Sequence, residues 1–99
     1  MKHVSILIPT GNSVLSSIVG PYKVLKGASD YLIASGQRQD NYFDIHLVGH
    51  KKHVELYDGA FSIRATDQLK DVKTTDLIII PAIVGDIPAE VQNNIVYFD

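Results

Sequence analysis

The apolar positions of the first third of the chain change from an unbroken run to a helical repeat. The segment from His3 to Pro9 is apolar and β-branched and ends in the turn residues "PTGN", which is typical of a strand buried on both faces. From Ser13 to Ser35 apolar residues recur every three or four positions, and Gly36 follows. The pattern predicts a first strand and then a long helix, capped at its start by Asn12 or Ser13.

This predicted helix contains one unfavourable dipeptide. Gly20-Pro21 lies near its middle, where proline costs about 3 kcal/mol relative to alanine. Proline frees a carbonyl one turn earlier, and a glycine lets the turn approach a neighbouring loop closely. We therefore interpret Gly20-Pro21 as a bend near a functional region.

Alternation of apolar and polar residues predicts strands in the middle of the chain. Tyr42 to His50 alternates and then becomes apolar, which indicates a second strand. The next two short runs flank Asp58-Gly59, the strongest short-range hairpin signal, and predict a hairpin that projects from the sheet. Asp67 to Val72 is compatible with one turn of helix.

The last third of the chain predicts one more strand and one more helix. Leu77 to Ile80 is wholly apolar, which is typical of a central parallel strand buried on both sides. Pro88 suits the first turn of a helix that places Val91, Ile95 and Phe98 on one face.

The predicted order is strand, helix, strand, hairpin, strand, helix. A helix between two strands favours parallel pairing, so the fold class is α/β, a flavodoxin-like open parallel sheet with flanking helices and a projecting hairpin. Two helices cover such a sheet thinly. We therefore expect residues 1–99 to be the first half of a domain, completed by the remainder of that domain or by a second copy in a homo-oligomer.

Composition narrows the classes of function. The chain has 99 residues, of which 45% are apolar and 20% charged, as in one small soluble domain. It has no apolar run long enough to span a bilayer and no secretion signal, so we expect a cytoplasmic protein without membrane contact. It contains no cysteine, and its net charge of −2 provides no positive field for nucleic acid.

The ends of two strands predict a ligand site. Ligands of open α/β sheets bind beyond the carboxyl ends of the strands. We expect the first strand and the strand from Leu77 to Ile80 to lie side by side, so that the loops "PTGN" and "PAIVG" face one crevice. Glycines allow close approach of backbone, and a helix start favours an anion or carbonyl oxygen; the alternative is that they are ordinary turn glycines. The predicted ligand-binding residues are Thr10, Gly11, Asn12, Ser17, Ala82 and Gly85.

Other chemistry finds less support in the sequence. A dinucleotide or nucleoside triphosphate would require a glycine-rich fingerprint or a Walker lysine, and the chain has neither. His46 and His50 lie four residues apart on a strand, about 13 Å, too far to share one metal ion. Glu55, Asp58 and Asp67 have no spacing that pairs an acid with a base, so we interpret them as solvated charges. We predict no catalytic residue, metal ligand or cofactor.

The order of five short segments resembles a known family. "GPYKVL" on the first helix, then "FDIHLVG", "LYDGAFSIRATDQL" and "TTDLIIIPA", after a strand that ends in a small loop, are similar to the opening half of the ThiJ/PfpI group of class I glutamine amidotransferase-like domains. The resemblance covers nearly the whole chain. Within the group it is nearest to the ligand-sensing domain of AraC-type transcriptional regulators, which precedes a helix-turn-helix domain.

The resemblance implies binding of an unknown small-molecule effector and dimerisation, with DNA contacted only through a separate C-terminal domain. Catalytic members of the group often carry an acidic residue on the first helix that hydrogen-bonds a cysteine nucleophile, and here Ser17 holds that position, or Ser16 if the register slips by one. The alternatives are the first half of a ThiJ/PfpI-type hydrolase or hydratase, whose cysteine would lie beyond residue 99, and a flavodoxin-like protein that acts only by association.

Overall fold

The computed structural model describes residues 1–11, 14–82 and 87–98. The fold consists of short strands, one long helix and one short helix. The strands are β1 (Lys2–Leu7), β2 (Phe43–Gly49), β3 (His53–Leu56), β4 (Phe61–Arg64), β5 (Asp67–Gln68) and β6 (Leu77–Ile79). The helices are α1 (Ser16–Ala34) and α2 (Ile87–Asn93), with 3-10 turns at Leu69–Asp71 and Ile95–Phe98.

Four parallel strands form the main sheet in the order β5-β2-β1-β6. Val4 on β1 lies between Ile45 on β2 and Leu77 on β6, so β1 is central. β3 and β4 form a separate antiparallel hairpin. The predicted α/β class, with a flavodoxin-like parallel sheet, is confirmed.

The core lies between α1 and one face of the sheet. Val4, Ile6 and Ile8 point to this face and are fully buried against Ile18 of α1. Because side chains alternate along a strand, His3 and Ser5 of β1 lie on the opposite face together with Asp44 and His46 of β2. One face of β1 and β2 is therefore apolar, and the other is polar up to Ser5 and His46 and apolar beyond them at Leu7 and Val48.

The hairpin belongs to the core. Val54 and Leu56 of β3 are fully buried in the same cluster as β1, and Leu56 forms a parallel bridge with Gly11. The prediction of a hairpin was right, whereas its description as a projecting element was incomplete. Leu56 and its cross-strand partner Phe61 lie on the same face of the hairpin, where Leu56 is fully buried and Phe61 is half exposed, while Glu55 lies on the exposed outer face.

The sequence predicted that the apolar strand β6 is buried on both sides. The structure shows otherwise. It lies at the edge of the described sheet and pairs with β1 alone among the described residues. Leu77, Ile78 and the following Ile80 are exposed, and Ile79 alone packs against the core. Hydrophobicity makes burial favourable but does not supply the covering elements, so the prediction of a central position is wrong for this structure.

Helix α1 differs from its prediction at its start and at Gly20-Pro21. It begins at Ser16 rather than Ser13, and its predicted caps Asn12 and Ser13 lie outside the described residues. Gly36 ends it with a positive φ of 79°, as predicted. The helix continues through Pro21, and a Cβ added at Gly20 would meet no described atom within 4 Å. Gly20 therefore does not serve a close approach to a described loop.

Two smaller expectations also change. The segment from Asp67 forms the short strand β5 and then a 3-10 turn instead of one α-helical turn, because Asp67 pairs with Val48 of β2. The last helix ends at Asn93, and a 3-10 turn follows. No helix within the described ranges is long and apolar enough to cross a membrane.

Candidate functional site

The predicted ligand site consists of the loops that follow β1 and β6, which we call the loop crevice. Ser17 at the start of α1 joins its two sides. The Ser17 hydroxyl donates a hydrogen bond to the Val14 carbonyl and accepts one of 3.0 Å from the Ala82 amide. The Val14 amide in turn donates to the Ala82 carbonyl at 2.8 Å. The loop after β6 is thereby fastened to the start of α1.

Thr10 and Gly11, on the β1 side of the crevice, have their backbone held by other segments. The buried side-chain amide of Asn94 accepts a hydrogen bond of 2.6 Å from the Thr10 amide and donates one of 3.2 Å to the Thr10 carbonyl. The Gly11 carbonyl accepts from the Tyr57 amide at 3.2 Å, and Gly11 has a φ of 90°. A left-handed φ favours glycine, so Gly11 is required here by the turn itself.

Tyr97 connects the ends of β1 and β2 below the crevice. Its hydroxyl donates to the Ile8 carbonyl at 2.7 Å and accepts from the His50 amide at 3.0 Å. Burial raises the pKa of Tyr97. Burial and the positive charge of Lys51 lower the pKa of His50. The buried Nδ1 atom of His50 has no hydrogen-bond partner among the described residues.

Four of the six residues predicted for the ligand site lie within the described part of the chain, and their role in binding stays a prediction. Ser17 and Ala82 are in direct contact, and Thr10 and Gly11 form the opposite loop. Asn12 and Gly85 lie outside the described residues. Asn94 and Tyr97 were not predicted as site residues. Both lie in the segment that the sequence predicts as the last helix, where a polar and an amphipathic side chain are common.

A second group of polar side chains lies on the polar face of the sheet, away from α1. Asp44 is at its centre: one carboxylate oxygen, Oδ2, is 3.0 Å from His3 Nδ1 and 2.9 Å from His46 Nε2. The other ring nitrogen of His46, Nδ1, is 3.0 Å from Asp67 Oδ1 on β5. We call these four residues the His-Asp cluster.

Contacts within the His-Asp cluster shift the pKa values of His46 and Asp44. Hydrogen bonds to Asp44 and then to Asp67 raise the pKa of His46, and the hydrogen bond from His46 lowers the pKa of Asp44. Asp67 is consequently not the solvated charge that its spacing in the sequence suggested. It is a half-buried acceptor for the histidine on the neighbouring strand.

The His-Asp cluster was missed because it depends on strand register. His46 and His50, which the sequence predicts on one strand, do not form the cluster together, and β2 ends at Gly49. The structure instead pairs His3 with Asp44 and Ser5 with His46 across parallel strands. The available signal was a set of polar residues at alternate positions of two strands, in "KHVS" and "FDIH". This signal indicates a cluster only once the two strands are known to be adjacent.

Comparisons with known proteins do not assign this geometry to a family. No protein-family model, no curated protein and no solved structure matches the chain.

Proposed function

We propose that the chain is a non-catalytic effector-binding and association unit of an AraC-type transcriptional regulator. The loop crevice binds a small-molecule effector, and the sheet is extended at β6 by a further strand. The DNA-binding segment of such a regulator is separate from residues 1–99. The family part of this proposal comes from the resemblance of the sequence segments, and the binding part from the site geometry.

The observation that carries the proposal is the role of Ser17. Enzymes of the resembling group often place at this position an acid that shares a proton with a nucleophile. Here the hydroxyl of Ser17 already uses its donor on the Val14 carbonyl and an acceptor on the Ala82 amide. A hydroxyl engaged in fastening two loops is suited to shaping a binding crevice, since a serine that takes part in catalysis needs an oriented base.

The association part of the proposal rests on β6. Leu77 and Ile78 present apolar surface on a strand that, within the described ranges, pairs with β1 alone and so leaves an edge for a further strand. Exposed apolar strands at a sheet edge are templates for pairing. A further strand would bury these side chains and remove the edge.

Ligand binding is tested by thermal unfolding of the chain with a panel of small carboxylates, amides and carbonyl compounds. A ligand that binds only the folded state raises the melting temperature with concentration. We expect such a shift for the wild type and for Ala34→Leu, an exposed alanine at the far end of α1, but not for Ala82→Leu, which adds bulk at a residue whose amide is bound to Ser17 in the loop crevice. No shift with any compound, in this chain or in a longer protein that contains it, would contradict the proposed binding.

Association is tested by sedimentation velocity at high micromolar concentration. We expect the wild type and Val24→Lys to associate and Ile78→Lys to be monomeric, because Val24 is exposed on α1 and Ile78 on the β6 edge. A strictly monomeric wild type removes this part of the proposal. The sequence that continues the parent gene separates the regulator from the enzyme alternative: a helix-turn-helix supports the former, and a cysteine after a strand supports the latter.

A further inference from the structure

The His-Asp cluster brings three side chains with metal-ligating atoms to one point on the sheet. His3, Asp44 and His46 each offer one such atom, and these atoms all lie within 4.8 Å of one another. Two come from β2 at alternate positions and one from the paired position on β1. The hydrogen-bonded strands fix the Cα positions of all three, so the convergence is a property of the sheet.

We infer that His3, Asp44 and His46 form a binding site for a divalent transition-metal ion of the zinc type. This site is independent of the loop crevice, which lies at the carboxyl ends of the strands. Two imidazole nitrogens and one carboxylate oxygen form a donor set that suits Zn²⁺ and similar ions, whereas Mg²⁺ and Ca²⁺ prefer oxygen alone.

The distances are close to those that such an ion requires. Donors held about 2.0–2.2 Å from a zinc ion lie within about 4 Å of one another. Asp44 Oδ2 is already 3.0 Å from His3 Nδ1 and 2.9 Å from His46 Nε2. The side chain of His3 is half exposed, so a small rotation of its ring closes the remaining distance. The ion would take the place of the direct contacts between Asp44 Oδ2 and the two rings.

Asp67 provides the outer support that metal-binding histidines commonly have. His46 Nε2 faces Asp44, while His46 Nδ1 lies 3.0 Å from Asp67 Oδ1. A histidine that binds a metal through one nitrogen usually donates its other N–H to a carboxylate or carbonyl, which orients the ring and raises its basicity. The chain from Asp67 through His46 to the ion has that arrangement.

The space above the cluster is open and negatively charged. A cavity of about 250 Å³ is lined by the cluster and by Asp71 and Lys73. Its three carboxylates, from Asp44, Asp67 and Asp71, outnumber the one ammonium of Lys73, which favours a cation. With three protein ligands, the ion keeps at least one coordination position directed to this cavity. That position is available to water or to an anionic ligand.

The experiment is isothermal titration calorimetry of the untagged chain, stripped with a chelator, with zinc chloride. We expect one zinc ion per chain, and His3→Gln and His46→Gln each to weaken binding about tenfold or more. The matched control is His53→Gln, which changes an exposed histidine of the hairpin and should leave the affinity unchanged. Asp67→Asn should weaken binding by roughly tenfold, because it removes the outer carboxylate.

A second measurement uses the wild type alone, so its result does not depend on whether the variants fold. In ¹⁵N spectra of the imidazole rings, one equivalent of zinc should shift the ring signals of His3 and His46 and leave those of His50 and His53 in place. The site is disproved if the wild type binds no zinc, if both glutamine variants retain wild-type affinity, or if the shifted signals belong to His50 or His53.

Discussion

β1 and β6 are adjacent parallel strands, and the wholly apolar β6 is less buried than the apolar positions of β1. Val4, Ile6 and Ile8 of the β1 segment are exposed by 1%, 0% and 0%. Leu77, Ile78 and Ile80 of the β6 segment are exposed by 48%, 54% and 76%. β1 has a strand on each side and α1 above its apolar face, whereas β6 is paired on one side only among the described residues.

The comparison shows that burial belongs to a position in the fold and not to a run of residues. Ser5 illustrates the same point from the polar side: it lies on β1 and is buried, because its hydroxyl donates to Thr75 Oγ1 just before β6. Ile78 is the partner of Ser5 in the register and is more exposed than it. A serine with a hydrogen-bond partner is therefore more buried than the isoleucine beside it.

The largest expected effect comes from truncating matched side chains on the two strands. Ile6→Ala should reduce the free energy of unfolding by about 2–5 kcal/mol, because it leaves a cavity among fully buried neighbours. Ile78→Ala should change it by less than about 0.5 kcal/mol, because the side chain is mostly in solvent. Urea unfolding measures both values. Equal losses would mean that β6 is covered in solution and would remove the contrast between the strands.

The second effect concerns how the carboxyl end of β1 is held. Asn94→Ala should lower the free energy of unfolding by about 1–3 kcal/mol, because it leaves the backbone of Thr10 without two hydrogen bonds. Gln92→Ala, at an exposed position of α2, is the control and should be nearly neutral. Chemical denaturation of the two variants compares them, and a neutral Asn94→Ala would contradict the anchoring role of Asn94.

A smaller effect, of opposite sign, is expected in the helix that covers β1. Gly20→Ala should increase the free energy of unfolding by roughly 1 kcal/mol, since glycine disfavours a helix interior and an added Cβ meets no described atom within 4 Å. Gly27→Ala on the same helix should act alike for the same reason. Thermal unfolding tests both, and a loss of stability in Gly20→Ala alone would restore a packing role for Gly20.

The smallest effect is a pH dependence of the free energy of unfolding, caused by His50. The backbone of His50 is bound to the Tyr97 hydroxyl, which also bonds Ile8 after β1. Burial lowers the pKa of His50 below its ordinary value of about 6.5, so the folded state binds this proton less readily than the unfolded state. The contribution of His50 to stability is thus complete above about pH 6.5 and decreases as the pH falls below that value.

The difference between wild type and His50→Gln isolates this contribution from that of other titrating groups. Between about pH 8 and pH 5.5, the wild type should lose more of its free energy of unfolding than the variant. Lys51 beside His50 acts in the same direction, and the Tyr97 hydroxyl binds the backbone of His50, so neither changes the sign. Parallel pH profiles would contradict the assignment.

Much of the fold was predictable because its signals are local. The run from His3, the repeat that ends at Gly36 and the Asp58-Gly59 hairpin all correspond to observed elements, since period and turn residues act over a few positions. The adjacency of the first and last strands was also predicted, and Val4 pairs with Leu77. In the candidate crevice, the contact between Ser17 and Ala82 follows from that adjacency.

The remaining features depend on contacts between segments distant in the chain. Asn94 bonds to Thr10 across 84 residues, and no local pattern identifies it. His46 contacts Asp44 through Nε2 and Asp67 through Nδ1, while His3 reaches the same Asp44 oxygen from β1. Such groups arise from strand order and register, which alternate every side chain between two faces.

By itself, the sequence determined the secondary-structure order and the α/β class, because these follow from local backbone preferences and hydrophobic periodicity. Only the tertiary structure decided which apolar strand is covered and which is at the edge, and which polar side chains meet. Burial and ligand geometry depend on neighbours in space: β1 has them on both sides, β6 on one, and the register of β1 and β2 brings His3 to Asp44 and His46.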